Sequence, residues 1–208
     1  MSTLDRLGSW WNGFRYTLYI PVYDAVASVF TKHRKVPVAQ YNWKGNERVL
    51  IVGAGSGLDF KHLPTVNHVD AVDISPGMLA LMKLRATNKP YIHPRLMDGH
   101  QLDFEDARYD VVILHLILAV IPNPVRALKE AERVLKPGGT ILVFDKFKPS
   151  GKETSLIRFL VNIPSIILAT SVNRALEPLV ASSKLKLVSS TLAAFGGLFR
   201  YALLEKKP

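Results

Sequence analysis

The chain has 208 residues, 48% of them hydrophobic and 21% charged, which suits one domain with a sizeable core and leaves too little for two. Strong apolar patterning excludes disorder as the main state, and the lack of cysteine excludes a disulfide scaffold, a thiol nucleophile and any zinc site built on Cys. The net charge of +10 lies at the two ends: residues 1–48 hold seven basic and three acidic side chains, 49–146 eleven of each, and 147–208 nine and three. Positive ends seek phosphate, on nucleic acid or on an anionic membrane; the alternative is that they only keep the protein soluble. Met1 to Leu7 carry Asp5 and Arg6 and lead to no apolar signal core, so a cytoplasmic protein is expected.

Leu4, Leu7, Trp11, Phe14 and Leu18 fall at helical spacing, with Trp10 nearby and Arg6 and Arg15 on other faces. Such a helix suits either a lid over the protein's own core or the headgroup boundary of a bilayer. Arg48–Val52 reads as a buried parallel strand stopping at Gly53, Leu58–Leu63 as a short helix, and His68–Val72 as a second strand ending at Asp73. Ser75-Pro76 caps and starts a helix continued by Met78, Leu79 and Met82. Tyr109–Leu114 is a third strand, Pro124–Leu135 an amphipathic helix ended by Pro137-Gly138-Gly139, and Thr140–Phe144 a fourth strand. Phe159–Asn173, uncharged and interrupted by Pro164, is too short for a comfortable membrane span and reads as a covering helical segment or interfacial dip. Lys148, Lys152, Arg158, Arg174, Lys184 and Lys186 around it make anionic lipid a natural neighbour. Leu185–Thr191 and Leu198–Leu204 are two strands joined at Gly196-Gly197. The alternation predicts an α/β, Rossmann-like, doubly wound, mostly parallel sheet with an antiparallel terminal strand and a helical N-terminal lid.

The chemistry centres on Gly53-Ala54-Gly55-Ser56-Gly57, directly after the first strand, where glycines allow a tight turn and close approach to a ligand. The dinucleotide fingerprint would need glycine at Leu58, and no Gly-Lys-Ser/Thr follows, so a nicotinamide, flavin or P-loop site is disfavoured. Asp73, twenty residues after Gly53, can accept both hydroxyls of a ribose, and Asp98-Gly99 offers an acceptor for an adenine amine. In this order the three positions predict an adenosine site. His115 ends the third strand on the ligand side, where it either touches cofactor or substrate or is a hydrogen-bonded second layer; His100 reads as packing beside the cofactor. No metal site is predicted.

From Val49 to Phe147 the chain resembles class I S-adenosylmethionine-dependent methyltransferases, in particular bacterial phospholipid and quinone-pathway enzymes. The matching pieces are Val49–Gly57, Val72-Asp73-Ile74-Ser75-Pro76-Gly77-Met78-Leu79, Asp98-Gly99 and Ala131–Leu142. The resemblance implies S-adenosylmethionine as cofactor, with Gly53, Ala54, Gly55 and Gly57 on its methionine part and Asp73 on the ribose. It places Ile74 and Met78 against the adenine and Asp98 and Gly99 at the adenine edge. Pro21-Val22-Tyr23-Asp24 is similar to a segment at the start of phospholipid N-methyltransferases, which implies that Tyr23, with Tyr19, closes over the sulfonium. Most members carry Asp or Glu where Ile51 stands. Val120-Ile121-Pro122-Asn123-Pro124 lacks the Asp/Asn-Pro-Pro-aromatic element of base N-methylating enzymes, which argues against N-methylation of bases though not against other RNA chemistry; nucleic acid is not the expected partner.

The expected organisation is one methyltransferase domain: 1–45 a helical lid, 46–146 the cofactor-binding core, 147–183 a substrate-covering insertion and 184–208 the terminal strands. The expected reaction is methyl transfer to a membrane-associated acceptor, first the amine of phosphatidylethanolamine, at the inner face of a membrane. The alternatives are C- or O-methylation of a prenylated quinone precursor or small molecule, and a non-catalytic adenosyl-binding protein that engages membrane or RNA.

Overall fold

The computed structural model describes residues 24, 27–147, 174–194 and 197–208. The expected helix over Leu4–Leu18, Tyr19, Tyr23, the run Phe159–Asn173 and Gly196 lie outside the described residues. In chain order the elements are α1 (Thr31–Gln40), β1 (Arg48–Val52), a 3-10 turn (Leu58–Lys61), β2 (His68–Asp73), α2 (Pro76–Ala86), β3 (Ile92–Leu96) and β4 (Tyr109–His115). They continue as α3 (Pro124–Val134), β5 (Leu135–Lys146), α4 (Leu176–Ala181), β6 (Leu185–Leu192) and β7 (Phe199–Lys206).

The seven strands form one sheet in the order β3-β2-β1-β4-β5-β7-β6. β3, β2, β1, β4 and β5 pair in parallel, and β7 runs antiparallel to both β5 and β6. The predicted doubly wound sheet with an antiparallel terminal strand is therefore the observed fold. Successive residues of β1 explain its two dry faces: Leu50 and Val52 pack on the side of α3 and α4, while Val49 and Ile51 pack on the side of Met82 and Ala86 from α2 and Val38 from α1.

Local chemistry sets the boundaries. The Ser75 hydroxyl accepts the Met78 amide with Pro76 at the first helical position, and the Asn123 side chain likewise accepts the Arg126 amide ahead of Pro124. α3 ends at Val134, one residue short of the expectation, and Pro137-Gly138-Gly139 does not separate helix from strand. Leu135, fully buried, is already extended and pairs with Tyr109; the pairing then shifts register and resumes at Val111–Thr140, with Pro-Gly-Gly accommodated inside β5. α1 carries Pro37 in its interior, which removes an amide donor and hides the helix from a periodicity reading.

Leu114 is fully enclosed at the centre of the sheet. Truncating it to alanine removes buried apolar volume and leaves a cavity, so Leu114→Ala destabilises the fold by about 2–5 kcal/mol. Urea titration then shows a lower midpoint with an unchanged slope.

Candidate active site

The carboxyl ends of β1, β2 and β4 open into a cleft, where ligands bind in sheets of this type. Gly53 turns the chain out of β1 at φ +67°, and a Cβ there would sit 2.5 Å from the Ile117 side chain; the position accepts neither a side chain nor an ordinary backbone without displacement. The loop is tied to β2 through Asp73, whose Oδ2 accepts the Gly55 amide and whose Oδ1 accepts the Ser75 amide, each at 2.9 Å. Burial pushes the Asp73 carboxyl above its ordinary pKa, opposed by the amides of Ser75, Gly55 and Ile74. A carboxylate has about four acceptor directions, so two amides fix its position and leave capacity for ribose hydroxyls.

At the other end of the cleft, Asp98 Oδ1 accepts the His100 amide at 2.9 Å and lies 2.7 Å from His100 Nδ1. The Asn123 amide donates to His100 Nε2 at 3.1 Å, so that nitrogen is an acceptor and Nδ1 carries the proton toward Asp98. Both ring nitrogens are thereby committed to holding Asp98 against the start of α3. The facing wall is apolar: Ile117, Val120, Ile121 and Pro122. Its backbone is held from two sides. Asp145, at the end of β5, accepts the Ala119 amide at 3.1 Å and its neighbour Lys146's at 2.7 Å. Arg174 donates to the carbonyls of Leu118 and, at 2.8 Å, of Ile121. Burial pushes the Asp145 carboxyl up to about 6 against the pull of the Lys146, Ala119 and Leu118 amides. Burial pushes Lys146 down, opposed by Asp145.

Beneath the glycine loop two polar networks connect distant segments. Asp24 Oδ1 accepts the Ser56 hydroxyl at 2.5 Å, and Arg85 of α2 donates to both Asp24 and the Ser56 carbonyl. Arg34 of α1 pairs with Asp59 Oδ2 at 2.6 Å, and Asp59 Oδ1 lies 2.8 Å from His115 Nδ1. Burial alone would raise Asp59, but the Arg34 guanidinium and His115 outweigh it and hold the carboxyl at about 2. A carboxylate only accepts, so Nδ1 donates. His115 Nε2 is buried and has no hydrogen-bond partner among the described residues.

Of the expected cofactor residues, the cleft brings together Gly53, Asp73, Ile74, Asp98, Gly99 and His100. Ala54, Gly55, Gly57 and Met78 lie beside it without lining it, and Met78 is 1% exposed. His115 sits in the buried layer below and does not line the cleft, although it ends β4 as expected. The apolar wall over 117–122 escaped the sequence reading; its only signal was the apolar run between His115 and Pro122, indistinguishable from a prolonged strand.

Comparison with known proteins decides the class. A family described as methyltransferase domain matches residues 50–143, the stretch from β1 to β5 that builds the cleft. The chain is an S-adenosylmethionine-dependent methyltransferase. It is 29% identical over 194 residues to a phosphatidylethanolamine N-methyltransferase of Cereibacter sphaeroides, covering 89% of this chain and 93% of that protein. It is 32% identical over 150 residues to a demethylmenaquinone methyltransferase of Symbiobacterium thermophilum, covering 66% of this chain but only 58% of that protein. Among solved structures, the cyclase SpnF superposes with a TM-score of 0.78 at 15% identity, covering 96% of this chain and 97% of that one; at that identity the likeness concerns the fold alone. These findings set aside the expectation of a non-catalytic adenosyl-binding protein. Among the described residues, no helix is long and apolar enough to cross a membrane.

The cofactor of this methyltransferase is S-adenosylmethionine, and the cleft fits it: a glycine turn with no room for a side chain, an amide-anchored carboxylate on β2, an apolar wall and a second acid facing it. Asp73→Asn halves the acceptor capacity and turns an NH2 toward one of the two backbone amides that the carboxylate accepts. It is expected to weaken S-adenosylhomocysteine binding by about 10- to 100-fold in calorimetry, the cost of losing hydrogen bonds to a charged group.

Asp145 supplies a pH prediction. Its carboxyl titrates at an ordinary value of 3.8 when exposed and at about 6 in the fold, so the folded state binds the proton more tightly. Its contribution favours the fold below about pH 4, is lost as pH rises to about 6, and is level above that. The stability of Asp145→Asn relative to the unsubstituted protein therefore rises by roughly 3 kcal/mol between pH 4 and pH 7, measured as the difference in urea midpoints.

Proposed function

We propose that the protein transfers methyl groups to the amine of phosphatidylethanolamine, or of a closely related lipid, at an anionic membrane surface. The observation that carries this reading is the near end-to-end match to the phosphatidylethanolamine enzyme, 93% of whose length is covered. That alignment extends well beyond the cofactor core into the ends, where the positive charge excess lies. Such ends favour contact with anionic lipid, by about 1 kcal/mol per basic residue near the surface. A second reading, methylation of a quinone ring, is favoured by the higher identity to the demethylmenaquinone enzyme, but this chain spans little more than half of that relative.

Bound S-adenosylmethionine supplies an electrophilic methyl on a sulfonium. Gly53, Ala54, Gly55 and Gly57 take its methionine part; Asp73 accepts the ribose hydroxyls; Ile74 and Met78 lie on the adenine side; Asp98, Gly99 and His100 form the adenine edge. The resemblance of Pro21-Val22-Tyr23-Asp24 to phospholipid N-methyltransferases would give Tyr23, with Tyr19, the role of covering the sulfonium, since an aromatic face attracts such a cation. The cleft contributes positioning and exclusion of water, which provide most of the rate in a direct displacement. A lipid ammonium must lose a proton before its nitrogen can attack; His115, expected as a candidate for that role, is instead the hydrogen-bonded second layer beneath the cleft.

The test is transfer of labelled methyl from cofactor to vesicles. Vesicles of phosphatidylethanolamine with phosphatidylglycerol should become labelled in the amine headgroup, faster at low salt than at high salt. Label that appears only in demethylmenaquinone, with the amine lipids untouched, would replace this reading by the second.

A further inference from the structure

We propose that Asp24 and Arg85 are positioning residues for the cofactor: with Ser56 they form a clasp that holds the glycine loop in its ligand-ready shape from outside the cleft. The clasp serves cofactor binding and is independent of which acceptor is methylated.

The loop Gly53–Gly57 needs such ties. Its three glycines hold φ of +67°, +57° and +87°, and glycine gives up more conformational freedom on being fixed than any other residue. Three of its amides are already held: Ala54 donates to the Val72 carbonyl and Gly57 to the Ala54 carbonyl, each at 3.0 Å, and Gly55 donates to Asp73. These bonds leave the hydroxyl and the carbonyl of Ser56, a residue with no exposed surface. The clasp takes both. Asp24 Oδ1 accepts the hydroxyl at 2.5 Å, while Arg85 donates one terminal nitrogen to the Ser56 carbonyl and the other to Asp24 Oδ2. Each of the three residues thus touches the other two, and the ring joins a residue ahead of α1, the loop after β1 and the last turn of α2.

The carbonyl bond bears on the shape of the loop. A peptide plane beside a glycine rotates with little steric resistance. Rotating the Ser56–Gly57 plane would strip the carbonyl from Arg85 and turn the Gly57 amide away from Ala54, so the clasp opposes it. The path to the cleft is one peptide long: the Gly55 amide, next to Ser56, is bonded to Asp73. Gly53 and Asp73 line the cleft, whereas Asp24, Ser56 and Arg85 do not.

Fold stability alone accounts poorly for this ring. The Arg85 and Asp24 side chains are 32% and 37% exposed, and ion pairs so open to water contribute little to stability. A cation in the last turn of α2 suits the end of that helix, but for that it needs no partner in the loop. A loop that is competent for only a fraction of the time binds its ligand with affinity reduced by that fraction, and this is where a weak but well-placed tie has a large effect. The clasp also gives a part to the acid of Pro21-Val22-Tyr23-Asp24, which the sequence singles out and the cleft leaves unused.

The test uses the full chain carrying Asp24→Asn, Arg85→Met or Ser56→Ala. The control is Lys136→Met, which removes the Lys136–Asp110 pair, similarly exposed and placed at the opposite ends of the strands. Calorimetry with S-adenosylhomocysteine should show binding about tenfold weaker in each clasp variant and within about twofold in Lys136→Met. Asp24→Asn combined with Ser56→Ala should bind no more weakly than the weaker single variant, because either one opens the same ring. Without ligand, hydrogen exchange of the Gly57 amide should quicken about tenfold in the clasp variants while the amides of β4 exchange as before. A tie that served only the fold would lower the urea midpoint and quicken both sets of amides, leaving the affinity of the folded protein unchanged. Affinities within about twofold of the unsubstituted protein, or weaker binding without faster Gly57 exchange, overturn the proposal. If Ser56→Ala fails to fold, the two partly exposed partners, Asp24 and Arg85, decide it.

Discussion

Two backbone amides converge on one half-buried carboxylate, and the cofactor cleft is organised around that convergence. Asp73 receives Gly55 from the loop after β1 and Ser75 from the start of α2. The turn that approaches the ligand, the strand that carries the acid and the helix that follows are therefore aligned by the same two oxygens. An amide-anchored carboxylate does not need to reorganise when a polar ligand arrives, and preorganisation of this kind is what makes a cleft a binding site rather than a depression. The opposite rim follows the same logic with the polarity reversed. There, Asp145 gathers amides and Arg174 gathers carbonyls from one short apolar segment, so the wall over 117–122 keeps its shape without regular secondary structure.

The sheet determines why these groups meet. Parallel strands place all their carboxyl ends on one edge, so Gly53, Asp73 and His115 come together although they are far apart in the chain. The layer beneath that edge is unusually polar for a buried one, with Arg34, Asp59 and His115 enclosed between α1 and the strands. A second buried acid, Asp70, lies further down β2 and accepts Tyr109, Arg95 and His68 at 2.7–2.8 Å. Burial opposes its ionisation, and the three hydrogen bonds outweigh that and hold it below the ordinary range. Both buried acids thus tie separate elements together, Asp70 through three side chains and Asp59 through Arg34 and His115.

Much of the core was legible from residues alone because buried parallel strands are short apolar runs with sharp ends. Val49–Val52 and Val111–Leu114 are such runs, and the glycines and Asp73 sit where the runs stop. An adenosine site followed from the order of those stops, and the resemblance to methyltransferases then implied the cofactor. Features that depend on contacts across the sequence did not show: Arg34, Asp59 and His115 are separated by tens of residues, and nothing local marks them as neighbours. α1 was hidden by Pro37, and the start of β5 by a Pro-Gly-Gly that reads as a terminator but is absorbed at a register shift. The acceptor was less legible than the cofactor for a physical reason, since a transferable methyl is recognised by the cofactor's adenosine and only weakly specified by what receives it.

β7 follows β6 in sequence yet occupies an interior place in the sheet, lying between β5 and β6. Until residues 199–206 have left the ribosome, β5 presents a row of unpaired amides and carbonyls along its outer side. Lys206, near the end of that strand, also donates to the carbonyls of Glu132 and Leu135 at the foot of α3. A chain lacking residues 199–206 would therefore expose a sticky edge along β5, at the middle of the sheet.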